Sequence, residues 1–70
     1  MNYLLIALCD KLEAEIAVAE ANIQVYMSNP AGIGEHPDIV QAIETQVEAI
    51  ANAEDKLHAI HEHFGHGKEK

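Results

Sequence analysis

The segment His58-Ala59-Ile60-His61-Glu62-His63-Phe64-Gly65-His66, with Glu54 one turn before it, concentrates four of the chain's five histidines in nine residues. On a helix Glu54, His58 and His61 stand at i, i+4 and i+7 and share a face, a spacing at which neutral imidazoles can hold Zn²⁺ or Ni²⁺. A plainer account needs no ion. Histidines near a helix C-terminus interact favourably with its negative end, and a solvated His-rich stretch closed by Gly65 and Gly67 follows from that alone. No Cys lies among these residues and no His precedes His36, so the cage stays incomplete. No metal and no other cofactor is assigned; Glu54, His58 and His61 are the weak candidates.

Other chemistry fares no better. A carboxylate-bridged di-iron bundle uses Glu-x-x-His with inward Glu residues from its other helices. Here Glu54 and His58 are four apart, Asp55 and His58 three apart, and Glu13, Glu15 and Glu20 fall mostly off the apolar seam defined below. Cys9 sits in an apolar stretch, where a thiol is packing and not a nucleophile. Neither Ser28 nor Thr45 has a His and carboxylate at a telling spacing. A narrow helical structure also lacks the concavity that small-molecule sites require. The expectation is a protein that is not an enzyme.

Composition narrows the partners. Seventy residues with four Lys, no Arg and twelve Asp/Glu carry a formal charge of -8. Such a chain is repelled by phosphate backbones and by anionic membrane surfaces, so direct nucleic-acid and membrane binding are both disfavoured. Residues 1–57 hold ten of the acids against two Lys, and residues 58–70 sum to zero. Spread acids of this kind form the solvated side of a helical bundle. A sharper alternative makes them an acidic surface that fills a basic site on a host protein. The single Cys cannot form an intramolecular disulfide. The apolar run Tyr3-Leu4-Leu5-Ile6-Ala7-Leu8-Cys9 is too short to span a membrane and leads directly into Asp10-Lys11-Leu12-Glu13, so it is expected to open a helix and not to act as a signal peptide.

Two elements must position all of this. From Asn2 to Tyr26 a heptad series runs unbroken, with Asn2, Cys9, Ile16 and Ile23 at one position and Leu5, Leu12, Ala19 and Tyr26 three residues after each. A second series pairs Val40, Val47, Glu54 and His61 with Ile43, Ile50, Leu57 and Phe64. Between them Pro30 stops the first helix, and Pro37 suits the first position of the next, with His36 as its cap and Asp38 in its first turn. The expected fold is all-α: an antiparallel two-helix hairpin over residues 1–64, with helices at about 2–28 and 37–64. A connection at about 29–36 is plugged by Ile33, and a flexible tail covers 65–70. Further apolar residues flank each seam: Leu4, Leu8, Val18 and Val25 on the first helix, and Ile39, Ala42, Ala49, Ala53 and Ile60 on the second. Two helices cover one stripe each, so the surplus calls for a partner, either a second copy forming a helical bundle or a larger protein.

The stretch Asn29-Pro30-Ala31-Gly32-Ile33-Gly34-Glu35-His36-Pro37-Asp38, the Glu/Ala/Ile-rich helix after it and the closing His63-Phe64-Gly65 together resemble small helical-hairpin proteins encoded by tailed bacteriophages. The resemblance carries over no functional residue. It implies a setting: a phage accessory protein in the bacterial host cytoplasm or in the virion. The expected function is a non-catalytic structural or protein-interaction module, virion-associated or capsid-decorating. It would act through the seam residues Leu5, Cys9, Leu12, Ile16, Ala19, Ile23, Tyr26, Val40, Ile43, Val47, Ile50, Leu57 and Phe64. The alternatives are an acidic inhibitor of a host nucleic-acid-handling protein and, third, a His-rich metal-binding hairpin.

Overall fold

The computed structural model describes residues 1–28 and 38–65. Two helices of equal length make up the fold, α1 (Tyr3–Ser28) and α2 (Ile39–Phe64), each of 26 residues. They lie antiparallel as a hairpin. Met1, Leu5 and Cys9 pack with Leu57 and Ile60 at one end, and Asn22 meets Gln46 further along. The expected connection with its Ile33 plug, the residues His36 and Pro37, and the tail after Gly65 lie outside the described residues.

Both helix starts are capped by side chains. Asn2 precedes α1, and its Oδ1 accepts the Leu5 N–H at 2.9 Å, so Asn2 serves the helix end and not the seam. The cap of α2 is Asp38, whose Oδ1 accepts the Gln41 N–H at 2.9 Å. This displaces the expected start at Pro37: a carboxylate one residue outside the helix satisfies an orphan N–H directly, which it could not do from within the first turn. At the far end Gly65 donates its N–H to the His61 carbonyl at 3.1 Å, and His61 and His63 occupy the last turn, where the dipole favours them.

Packing is thin. Leu12, Ala53 and Ile60 form the buried cluster, ringed by half-buried Met1, Leu5, Cys9, Ile16 and Leu57, with Ala19 buried further along. A compact chain of this length has a radius of gyration of about 11 Å. The observed value is 15.8 Å, in a rod of 54 × 15 × 15 Å. Two helices side by side have no third layer to close over them, so one stripe of each is covered and the rest meets solvent.

On α1 the seam runs as the heptads require, with Leu5, Cys9, Leu12, Ile16, Ala19, Ile23 and Tyr26 all buried or half-buried. On α2 it takes a different line. Ile43, Ile50 and Leu57 lie in it, but Val40 and Val47 stand outside, 79% and 49% exposed. Their place is taken by Ile39, Gln46, Ala53 and Ile60. The choice was between the residue three after each of Ile43, Ile50 and Leu57 and the residue four after. The second option brings Val47 inward, but it also buries Glu54 and His61, which have no partner there. The first buries Ala53 and Ile60 and exposes only one amide to the seam, Gln46, which accepts a hydrogen bond from Asn22 Nδ2 at 3.2 Å. Phe64, expected in the seam, is 54% exposed because it falls on the last residue of α2, where only the beginning of α1 lies opposite.

Candidate interaction surface

A helix turns 100° per residue, so the position of every exposed side chain relative to the seam is fixed once the seam is known. To one side lie Leu4, Leu8, Lys11, Glu15, Val18, Asn22 and Val25 of α1. The same side of α2 presents Ala42, Thr45, Ala49, Asn52, Lys56 and His63. A shallow groove lined by Lys11, Ala14, Glu15, Val18 and Ala19 from α1 and by Gln46 and Ala49 from α2 joins the two helices here. Leu4, Leu8, Val18 and Val25 are between 39% and 64% exposed. This surface is the lysine face. It carries both lysines of the described residues, and Glu15 is its one carboxylate.

Lys11 Nζ lies 2.6 Å from Glu15 Oε2. The hydrogen bond from Lys11 and the attraction of its charge hold the Glu15 carboxyl below its ordinary range; Lys56 on the other helix adds to this, and slight burial works against it.

The opposite side is the acidic face. Asp10, Glu13 and Glu20 come from α1, and Glu44 and Glu54 from α2, with no lysine among them. Glu48, Asp55 and Glu62 follow the outer edge of α2, where Asp55 and Glu62 share a shallow concavity with Lys56 and His63. Apolar side chains occur here too, in two groups at the ends: Tyr3 and Ile6 at one, and Met27, Val40 and Val47 at the other, with Glu13, Glu20 and Glu54 between.

The histidine constellation does not close around anything. His58 Nε2 lies 3.1 Å from Glu62 Oε1, one turn along the same helix, and both are solvated. The shallow concavity beside them is built from Asp55, Lys56, His58, Ala59, Glu62 and His63, all on α2. Among the described residues, no group of three or more His, Cys, Asp or Glu is placed to hold a metal ion, Glu54, His58 and His61 included. Cys9 Sγ is half-buried, 3.9 Å from Met1 Sδ. The hydroxyls of Ser28 and Thr45 donate to carbonyls of their own helices, those of Gln24 and Gln41. No helix among the described residues is long and apolar enough to cross a membrane.

Sequence periodicity marks Leu4, Leu8, Val18 and Val25 as surplus apolar residues, but it does not reveal that Lys11 and Lys56 flank them while five carboxylates face the other way. The signal is present in the spacing of the acids. The true line of α2 sharpens it, because moving the companion line by one residue turns the centre of the seam by about 50°, half the angle between successive residues.

Comparison with protein-family models, with curated proteins and with solved structures finds no match to this chain.

Proposed function

We propose that the chain is a non-catalytic protein-interaction module that docks through its lysine face, and that it serves as a small accessory protein of the kind tailed phages encode, virion-associated or capsid-decorating. Its place would be the particle or the host cytoplasm. The observation that carries this reading is the lysine face itself: four large apolar side chains, exposed in one strip beside alanines, on the side of the rod from which carboxylates other than Glu15 are absent. A surface of that kind costs solubility unless something covers it, whereas scattered exposed apolar residues need no explanation. A photo-crosslinking amino acid at Val18, compared with one at Glu48, tests it in purified particles and in lysate. Covalent products from position 18 and none from position 48 support the reading. Equal labelling from both positions, or none from position 18, refutes it.

The acidic face favours a second reading, a regulatory binder of a basic host protein that handles nucleic acid. Five carboxylates on one side of a slender rod, with no lysine among them, give an extended negative strip. Binding through it weakens steeply as salt rises from about 0.05 to about 0.5 M, because exposed charges are screened over that range. Complex formation indifferent to salt removes this reading.

A further inference from the structure

The lysine face is where two copies of the chain can meet, and we propose that it is the contact surface of a homodimer: two hairpins packed face to face as a four-helix bundle. This rests on the reading of that face as a docking surface and names its occupant. Charge decides among the faces. Two chains of -8 each repel, and contact through the acidic face sets five carboxylates against five. Contact through the lysine face brings together surfaces that each hold Lys11, Lys56 and Glu15, and sends both acidic faces, of five carboxylates each (Asp10, Glu13, Glu20, Glu44 and Glu54), outward to solvent on opposite sides of the bundle.

The same three side chains suit a two-fold interface. Glu15, its side chain 45% exposed, pairs with Lys11 on its own helix, and the charge of Lys56 on the other helix also favours its ionised form. A second copy brings two more lysines and another carboxylate, and every cross-contact made once is made twice by symmetry. Alanines on both helices, among them Ala14 and Ala49 in the groove, leave room for helices of the other copy at an ordinary bundle spacing of about 8–10 Å.

The available area is sufficient. Helices of 26 residues are about 39 Å long at 1.5 Å per residue. With a width of 15 Å they offer roughly 600 Å² per copy, and the two copies together reach about 1,200 Å², the lower end of the total that specific interfaces bury. The contact also supplies the layer the rod lacks, since it covers Leu4, Leu8, Val18 and Val25 at once.

Light scattering and sedimentation on the purified 7.7 kDa chain, with helicity followed in parallel, provide the test. The wild type is expected at twice the chain mass at micromolar concentration, with a melting midpoint that rises with concentration, as for any assembly coupled to folding. Val18→Glu with Val25→Glu is expected to abolish the dimer. Val40→Glu with Val47→Glu, the same chemistry on the acidic face, is expected to keep it. If the first variant unfolds, the concentration-dependent wild-type midpoint still separates dimer loss from a defect within one hairpin. A folded wild-type monomer with a concentration-independent midpoint overturns the proposal, and so does equal dissociation of both variants. In either case crosslinking from Val18 to a different protein would leave the docking reading standing without the dimer.

Discussion

Asn22 and Gln46 are both half-buried between the helices, and the Asn22 Nδ2 to Gln46 Oε1 distance is 3.2 Å. Removing one amide leaves the other facing an apolar seam without its partner. The full penalty for a buried unsatisfied group is about 1–3 kcal/mol, and water access at a half-buried position holds it near the lower end. Asn22→Ala and Gln46→Ala are therefore each expected to cost about 1 kcal/mol. The double variant should cost less than their sum, with a coupling of about 0.5–1.5 kcal/mol, the ordinary net worth of one hydrogen bond. In a domain of this size 1 kcal/mol moves the melting midpoint by about 4–8 °C, well within the resolution of urea and thermal melts followed by circular dichroism. All four corners are compared at one chain concentration, so that any association enters each equally. Replacing both by Leu is expected to exceed wild type in stability, because two half-buried apolar side chains then occupy the seam, while the polar lock on register is lost. A coupling within error of zero, or a Leu/Leu protein less stable than the double Ala, refutes the argument that this pair selects the line of α2.

Leu12→Ala removes the most deeply buried large side chain and is expected to lower stability by about 2–5 kcal/mol by denaturant melts, enough to unfold a marginal hairpin; a loss under about 1 kcal/mol contradicts the assigned core. Asp38→Ala should cost about 1 kcal/mol through the lost cap, and Asp38→Asn much less; equal losses would show that charge and not the Gln41 N–H bond matters. Glu15 has a carboxyl held below its ordinary range by Lys11, so its contribution is present above the unfolded-state value and is lost as pH falls through the lowered one. Glu15→Gln should flatten that part of the acid-unfolding curve measured at low salt, and an unchanged acid limb would deny the ion pair any role.

The two helices, their antiparallel arrangement and the seam of α1 were legible because α1 repeats large apolar residues at both seam positions without interruption. In α2 only the Ile43, Ile50 and Leu57 line is unambiguous. Its companion had to be chosen between Val40, Val47, Glu54 and His61 and the line Ile39, Gln46, Ala53 and Ile60, each of which begins or ends in large aliphatic residues. The two valines one heptad apart make the first line look continuous over the first half of α2. The structure favours the alternative because Glu54 and His61 ride on the valine line and would go inward with it, a cost that appears only when the whole series is followed and the opposing helix is present. The cap was misplaced for a related reason: Pro37 and Asp38 are both good helix-start residues, and only the Asp38 to Gln41 hydrogen bond decides between them. Exposure on the lysine face was foreseeable in kind from the surplus apolar residues, but its segregation from the acids depends on a rotation angle that a wrong line obscures.

The buried cluster of Leu12, Ala53 and Ile60, joined by Met1, Leu5 and Leu57, lies toward the end of the rod that holds the start of α1 and the close of α2. A hairpin of this kind opens from the opposite direction to the one usually pictured. The two outermost ends of the paired helices are clasped together, while the half running toward Ser28 and Asp38 has Ala19 as its one buried side chain and is otherwise held by half-buried contacts. Amide hydrogens of the turns around Leu12 and Leu57 should be the last to exchange, and those nearest residues 28 and 38 the first. Separation then travels inward from the side where the helices are joined, and the rod parts in the manner of a clothes-peg, gripped at its jaws.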